Sequence, residues 1–137
     1  GVDIWQEALQ VGKTMDEKRK LIRGNVSEIP LASASANLIV CSLAYQMTEP
    51  HQQRAIALQE MSRILESRGY VILTLPVNYL DGRNTRKFTR VLGEYGFEIR
   101  AHDASLTKSK LELYVLQKIN DSNNEIHSLQ WKGDLKK

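Results

Sequence analysis

Two rhythms of hydrophobic residues alternate along the chain. Nearly continuous apolar runs fall at 38–41 and 71–75, while other stretches repeat apolar residues at three- and four-residue steps. The first rhythm suits parallel strands covered on both faces, and the second lines one side of a helix.

The strand-like segments are KLIRG (20–24), NLIVCSL (37–43), YVILTL (70–75), FEIRAHD (97–103) and LELYVLQKI (111–119). FEIRAHD and LELYVLQ alternate apolar and polar positions, as edge or antiparallel strands do. The opening GVDI reads as the last residues of a further buried strand, with Asp3 at its tip.

Three helices are expected between the strands. The first covers about residues 5–12 or somewhat more, with Ile4, Ala8, Leu9 and Val11 as a short apolar face. In the second, Thr48 caps, Pro50 suits the first turn, and Ala57, Leu58, Met61, Ile64 and Leu65 repeat until Ser67-Arg68-Gly69 stops it. The third carries Phe88, Val91, Leu92 and Tyr95, with Gly96 where a left-handed cap is wanted. Strand and helix thus alternate, and two strands joined by a loop close the chain. That order predicts an α/β Rossmann-like three-layer sandwich ending in an antiparallel pair.

A chain of 137 residues makes one domain. The expected division is a domain over residues 1–119 and a polar tail over 120–137, with Trp131 as the tail's docking candidate. A net charge of +3 is a mild bias, and the basic run at Arg83, Arg86, Lys87 and Arg90 is only a weak pointer to an anionic partner such as nucleic acid. Cys41, the single cysteine, excludes an intrachain disulfide and a multi-cysteine zinc site, so a reducing cytoplasmic location is expected. No apolar run approaches the ~20 residues a membrane helix needs. His51, His102 and His127 form no motif with a nucleophile or metal ligand.

Over residues 1–118 the order of elements resembles the class I S-adenosylmethionine-dependent methyltransferases, in particular the type 11 group. GVDI looks like the end of that family's second strand. RGNVSEIPLASASANLIVCSLAYQ is similar to its G-D-A-x-x-L-P-F stretch followed by F-D-L-V-x-S. LQEMSRILESRGYVILTLP resembles L-x-E-x-x-R-V-L-K-P-G-G-x-L-x-x-x-x-P, and FTRVLGEYGFEI resembles the L-x-x-A-G-F corner.

The resemblance implies S-adenosylmethionine as cofactor. Asp3 would hold its ribose and Asn25 its adenine, with their neighbours Ile4 and Val26 also in the cofactor site, and Cys41, Ser42 and Leu43 would meet its methionine part. Tyr45, Gln46, Tyr79 and Arg83 would face the methyl acceptor, with Asp81 a further candidate. Tyr45 is open to a packing role, and Cys41 to that of a small buried hydrophobe. Two acids of the family pattern are replaced here, by Asn25 and Asn37. An amide oxygen still accepts a hydrogen bond at Asn25, without charge assistance.

The family's first strand and its glycine-rich turn have no counterpart in this sequence, where glycines are scattered singly. In the family's sheet order, 3-2-1-4-5-7-6, that strand lies between the second and the fourth. Its absence predicts unpaired strand edges that invite other polypeptide. Three completions are open: a missing N-terminal segment, a second chain, or a homodimer through the open edge. The function implied is methyl transfer by the carboxyl-terminal part of a catalytic domain. The alternative is a non-catalytic methyltransferase-like assembly module. A nicotinamide-dependent dehydrogenase fits the closing strands less well and needs the same glycines. Nothing in the sequence selects the acceptor.

Overall fold

The computed structural model describes residues 1–18, 20–42, 44–45, 52–77, 79, 82–104 and 110–120. In chain order the elements are β1 (Val2–Asp3), α1 (Gln6–Met15), β2 (Ile22–Arg23), β3 (Ala36–Ser42), α2 (Gln52–Ile64), β4 (Leu65–Pro76), α3 (Gly82–Glu94), β5 (Phe97–Asp103) and β6 (Leu111–Lys118). Leu43, Gln46, the Thr48 cap, Pro50, Asp81 and the tail from residue 121 lie outside the described residues.

The strands form two sheets. β1 and β2 pair in parallel, and a four-stranded sheet runs β3-β4-β6-β5. β3 and β4 are parallel, while β6 is antiparallel to both β4 and β5. Among the described residues, β1 has β2 as its one neighbour and β3 has β4, so each leaves an edge unpaired. This is the expected arrangement with one central parallel strand lacking.

α2 and α3 cover one face of the larger sheet. Ala57, Leu58 and Met61 from α2 and Phe88, Val91 and Leu92 from α3 bury Cys41, Val71, Leu73, Leu75, Tyr114 and Leu116. Their alternate neighbours point the other way, and there the expectation of strands covered on both faces fails. Leu38 is 50% and Val40 65% exposed, and Tyr70 beside Leu38 is also exposed. An apolar run looks the same in sequence whether both faces are covered or one awaits its cover.

The end of α2 also differs from its expected boundary. The helix stops at Ile64, and Leu65, expected as its last apolar residue, already begins β4. Buried Lys118 donates from Nζ to the carbonyls of Ser62 (2.8 Å) and Leu65 (3.0 Å), a cation where α2 ends and a helix's carbonyls lack partners. Ser67-Arg68-Gly69 is an irregular stretch of β4, where pairing with β3 shifts register and Arg68 takes φ 68°. Gly96 does cap α3 in the left-handed conformation, at φ 81°, and its carbonyl accepts from Ile119 N–H at 2.8 Å.

Candidate functional site

The tips of β1 and β2 are tied together. Gly24 N–H donates to the Asp3 carbonyl at 2.9 Å, and Arg23 Nε donates to the Ile4 carbonyl at 3.3 Å. Gly24 must be glycine for this approach, because a Cβ there would stand 2.6 Å from Pro30 Cδ and 3.0 Å from Val2 Cγ1. Asp3, Ile4, Asn25 and Val26 are therefore brought to one end of the small sheet, as the resemblance implies.

Asp3 Oδ1 accepts the Trp5 backbone N–H at 2.9 Å, at the start of α1. No other hydrogen bond reaches this carboxylate among the described residues, so Oδ2 is left to accept from a ligand. That acceptor set fits a ribose diol, whose hydroxyls donate. Asn25 fits adenine less well. Its Oδ1 already accepts from Ser27 N–H (3.0 Å) and Ser27 Oγ (2.9 Å), an Asx turn that spends the oxygen on its own loop. Its amide nitrogen donates to none of the described residues.

The turn after β2 also touches the main core. Val26 packs against the cluster that contains Cys41 and Tyr45. At the end of β3, Thr74 Oγ1 donates to Ser42 Oγ at 2.9 Å across the parallel pair. Cys41 is buried, and burial holds its thiol protonated by raising its pKa, against backbone N–H groups of Tyr45 and Ala44 that pull the other way. It is a packed thiol and not a nucleophile.

Tyr45 is 0% exposed, and its hydroxyl has no hydrogen-bond partner among the described residues. Burial first, then the neighbouring Tyr79, pushes its pKa up, so the phenol stays neutral. Its ring lies 6.0 Å from Phe88. Tyr79 is half-buried against the same core, and Arg54 Cζ stands 5.7 Å from its ring centroid. Tyr45 and Tyr79 are thus brought together at the carboxyl ends of β3 and β4, whereas Arg83 enters only as the second residue of α3.

Three groups were assigned no role from the sequence. Arg54, on α2, is buried beside Tyr79. Glu60 and Arg63, the acid and base of the E-x-x-R spacing, clamp the segment before β3. The third is a cluster on β5 and β6: the His102 ring stacks on Tyr114 at 4.3 Å, and Tyr114 donates to Glu112 Oε2 at 3.1 Å. Burial and that carboxylate push the Tyr114 phenol up to about 12. Strand alternation puts positions 112 and 114 on one face, but the partner strand's register is needed to bring His102 over them. Through the register Cys41, Leu73, Tyr114, His102, the imidazole lies three strand spacings, roughly 14 Å, from Cys41. The cluster flanks the candidate site and does not form it.

A groove of ≈ 430 Å³ opens on the uncovered face, lined by Leu38, Gly69, Tyr70 and Val115 among others. It lies toward the amino ends of β3 and β4, away from Ser42 at the carboxyl end of β3. Among the described residues no helix is long and apolar enough to cross a membrane, and no cluster of three metal-ligating side chains occurs.

Residues 1–73 match the methyltransferase domain family. The chain belongs to that family. Solved structures carry the same fold over most of the chain. A SAM-dependent methyltransferase from Methanosarcina mazei is similar with a TM-score of 0.72 at 15% identity, over 88% of this chain and 82% of that one. A chain of the complex between a methyltransferase and its activator from Haloferax volcanii reaches 0.71 at 11% identity, over 88% and 71%. A SAM-dependent methyltransferase from Mesorhizobium loti reaches 0.68 at 11%, over 85% and 78%. No protein of curated function matches the sequence. S-adenosylmethionine is the cofactor of this methyltransferase fold.

Proposed function

We propose that residues 1–137 are the carboxyl-terminal part of an S-adenosylmethionine-dependent methyltransferase, which acts once a parallel strand fills the place between β1 and β3. The observation that carries this reading is the pair of unpaired edges. The two sheets, β2-β1 and β3-β4-β6-β5, correspond to the two halves of the family's order with its first strand left out. The filling strand would bring the glycine-rich turn that lets backbone approach the cofactor.

In the completed site Asp3 accepts from the ribose hydroxyls, Ile4 and Val26 offer apolar contact to the base, and the Ser42 region meets the methionine end. Bound S-adenosylmethionine supplies an electrophilic methyl group on its sulfonium. The chain's part is to align an acceptor against that methyl and exclude water. Tyr45, neutral and packed, is suited to shaping the acceptor side together with Tyr79 and not to taking a proton.

The strand can come from an upstream segment, a second chain or a second copy. That one similar structure is a complex with an activator makes a partner chain a reasonable source. Calorimetry with S-adenosylmethionine tests the reading. The chain alone should give no micromolar-range binding, and fusion of a strand, glycine turn and helix ahead of Gly1 should restore it. Micromolar binding by the unfused chain would remove the need for completion.

A second reading, a non-catalytic assembly module, is favoured by Asn25, whose oxygen is already engaged by Ser27. It prevails if the completed protein still binds no cofactor.

A further inference from the structure

Trp5 breaks a local rule. It is the N-cap of α1, yet it makes no side-chain capping bond, at a position where Ser, Thr, Asp or Asn would satisfy an orphan N–H. It is also 66% exposed, so a large aromatic surface stands in water directly after the ribose-binding candidate. Packing does not account for it either, since Leu9 is the buried residue of α1. Residues that defy local preference without a packing reason mark function more often than chance.

Its backbone is held where a ligand on Asp3 would meet it. Asp3 Oδ1 accepts the Trp5 N–H at 2.9 Å, Arg23 pins the Ile4 carbonyl between them, and Gly24 pins the Asp3 carbonyl. The carboxylate and the backbone that carries the indole are thus fixed in one turn. Asn25, the residue implied for adenine, has its oxygen engaged elsewhere. Recognition of the base at this site needs another contributor.

We propose that Trp5 is a stacking platform for the adenine ring of the nucleoside whose ribose Asp3 holds. The inference rests on the S-adenosylmethionine reading above. It adds a binding residue, and it says what replaces the weakened polar contact at Asn25. Every base offers a π-face, so stacking secures the ring without needing a hydrogen-bond acceptor.

Asp3, Ile4, Trp5, Asn25 and Val26 all belong to the β1–α1–β2 unit and its exit turn, so the adenosine half can be tested in the full chain at millimolar ligand. The probe is 5′-methylthioadenosine, with S-methylmethionine as the base-free control, and the readout is the amide and indole Nε1–H signals in NMR. Trp5→Phe assigns the Trp5 indole signal against that of Trp131. The nucleoside should shift the Trp5 indole together with the amides of Asp3 and Ile4, and the control should leave the indole in place. Trp5→Ala should weaken nucleoside binding roughly ten- to a hundredfold, with Trp5→Phe recovering most of it. Shifts at Asp3 and Ile4 with an unmoved Trp5 indole, or Trp5→Ala binding as the parent does, would overturn the platform and leave the cofactor reading standing. If no amide of this unit responds to the nucleoside even in the protein fused to a strand, glycine turn and helix ahead of Gly1, both fall.

Discussion

Arg63 grips Glu60 with two hydrogen bonds, Nε to Oε1 at 2.7 Å and Nη2 to Oε2 at 2.8 Å, and the pair clamps the segment that leads into β3. Arg63 donates to the carbonyls of Ile29 (2.9 Å) and Leu31 (2.8 Å), and Glu60 accepts the Ile29 N–H at 2.8 Å. Ala34 and Ser35 then donate from their N–H groups to the carbonyls of Arg63 and Ile64. The helix end therefore sets where β3 starts and how the turn at Asn25 is carried into the core.

Loss of Arg63 should cost more than loss of the charge on Glu60. Arg63 is about a third exposed, so screening trims the ion-pair part and the hydrogen bonds dominate. Arg63→Met should lower stability by about 2 kcal/mol and Glu60→Gln by about 1 kcal/mol, read from urea midpoints at constant slope.

The same pair predicts a pH dependence. The Arg63 hydrogen bonds, aided by the Ile29 N–H, hold the Glu60 carboxyl below its ordinary value. A depressed folded pKa contributes stability that is fully present above the unfolded value, about 4.3, and is lost as pH falls through the folded one. The stability gap between the parent and Glu60→Gln should thus stay constant from neutral pH down to about 5, then narrow below about 4. A gap independent of pH down to acid unfolding would show that the charge on Glu60 is immaterial.

Adjacent residues of β4 should respond with opposite signs. Arg68 has φ 68°, a region glycine occupies without strain, so Arg68→Gly should stabilise by up to about 1 kcal/mol. Gly69→Ala should destabilise, because its Cβ would meet Leu65 Cδ2 at 2.9 Å, the Glu66 carbonyl at 3.0 Å and the Asn37 carbonyl at 3.1 Å. Two of these three neighbours are backbone and cannot rotate away. Thermal midpoints of the two variants, moving apart from the parent, check the claim.

These residues also show where the sequence was legible. FEIRAHD and LELYVLQK became β5 and β6 almost to the residue, because strict alternation matches a sheet with one buried face. The end of α2 was not legible. Met61, Ile64 and Leu65 keep a helical rhythm, and only Lys118, 53 residues on, reaches the Leu65 carbonyl from the far strand. The Ser-Arg-Gly triplet signals a break in regularity, but a sequence does not say whether a helix or a strand is broken. Of the site, Asp3 and Asn25 were readable as strand tips. The Ser27 bonds that engage Asn25, and the approach of Arg54 to Tyr79, follow from loop geometry and helix packing that no spacing rule encodes.

The uncovered face of β3 predicts a separation of stability from completion. Val40 is 65% exposed, so Val40→Lys should change the stability of this chain by less than about 0.5 kcal/mol. Leu73→Ala on the covered face, at 1% exposure, should cost about 2 to 4 kcal/mol. In the protein fused to a first strand and helix, Val40→Lys would place a charge under the incoming layer and prevent recovery of S-adenosylmethionine binding. Recovery undiminished by Val40→Lys would mean that the added unit does not cover this face.

Asp3 provides the sharpest separation of structure from binding. Asp3→Asn keeps an oxygen able to accept the Trp5 N–H, so the start of α1 and the thermal midpoint should be preserved within about 0.5 kcal/mol. The charge and the second acceptor oxygen are lost, and both hydroxyls of a ribose diol depend on them. Nucleoside binding should weaken about tenfold, equivalent to about 1.4 kcal/mol. Asp3→Ala removes the bond to Trp5 as well, so it should reduce binding further and also lower the midpoint. Equal binding by the parent and Asp3→Asn, measured by NMR titration with 5′-methylthioadenosine, would take the ribose away from Asp3, since the turn itself is retained in that variant.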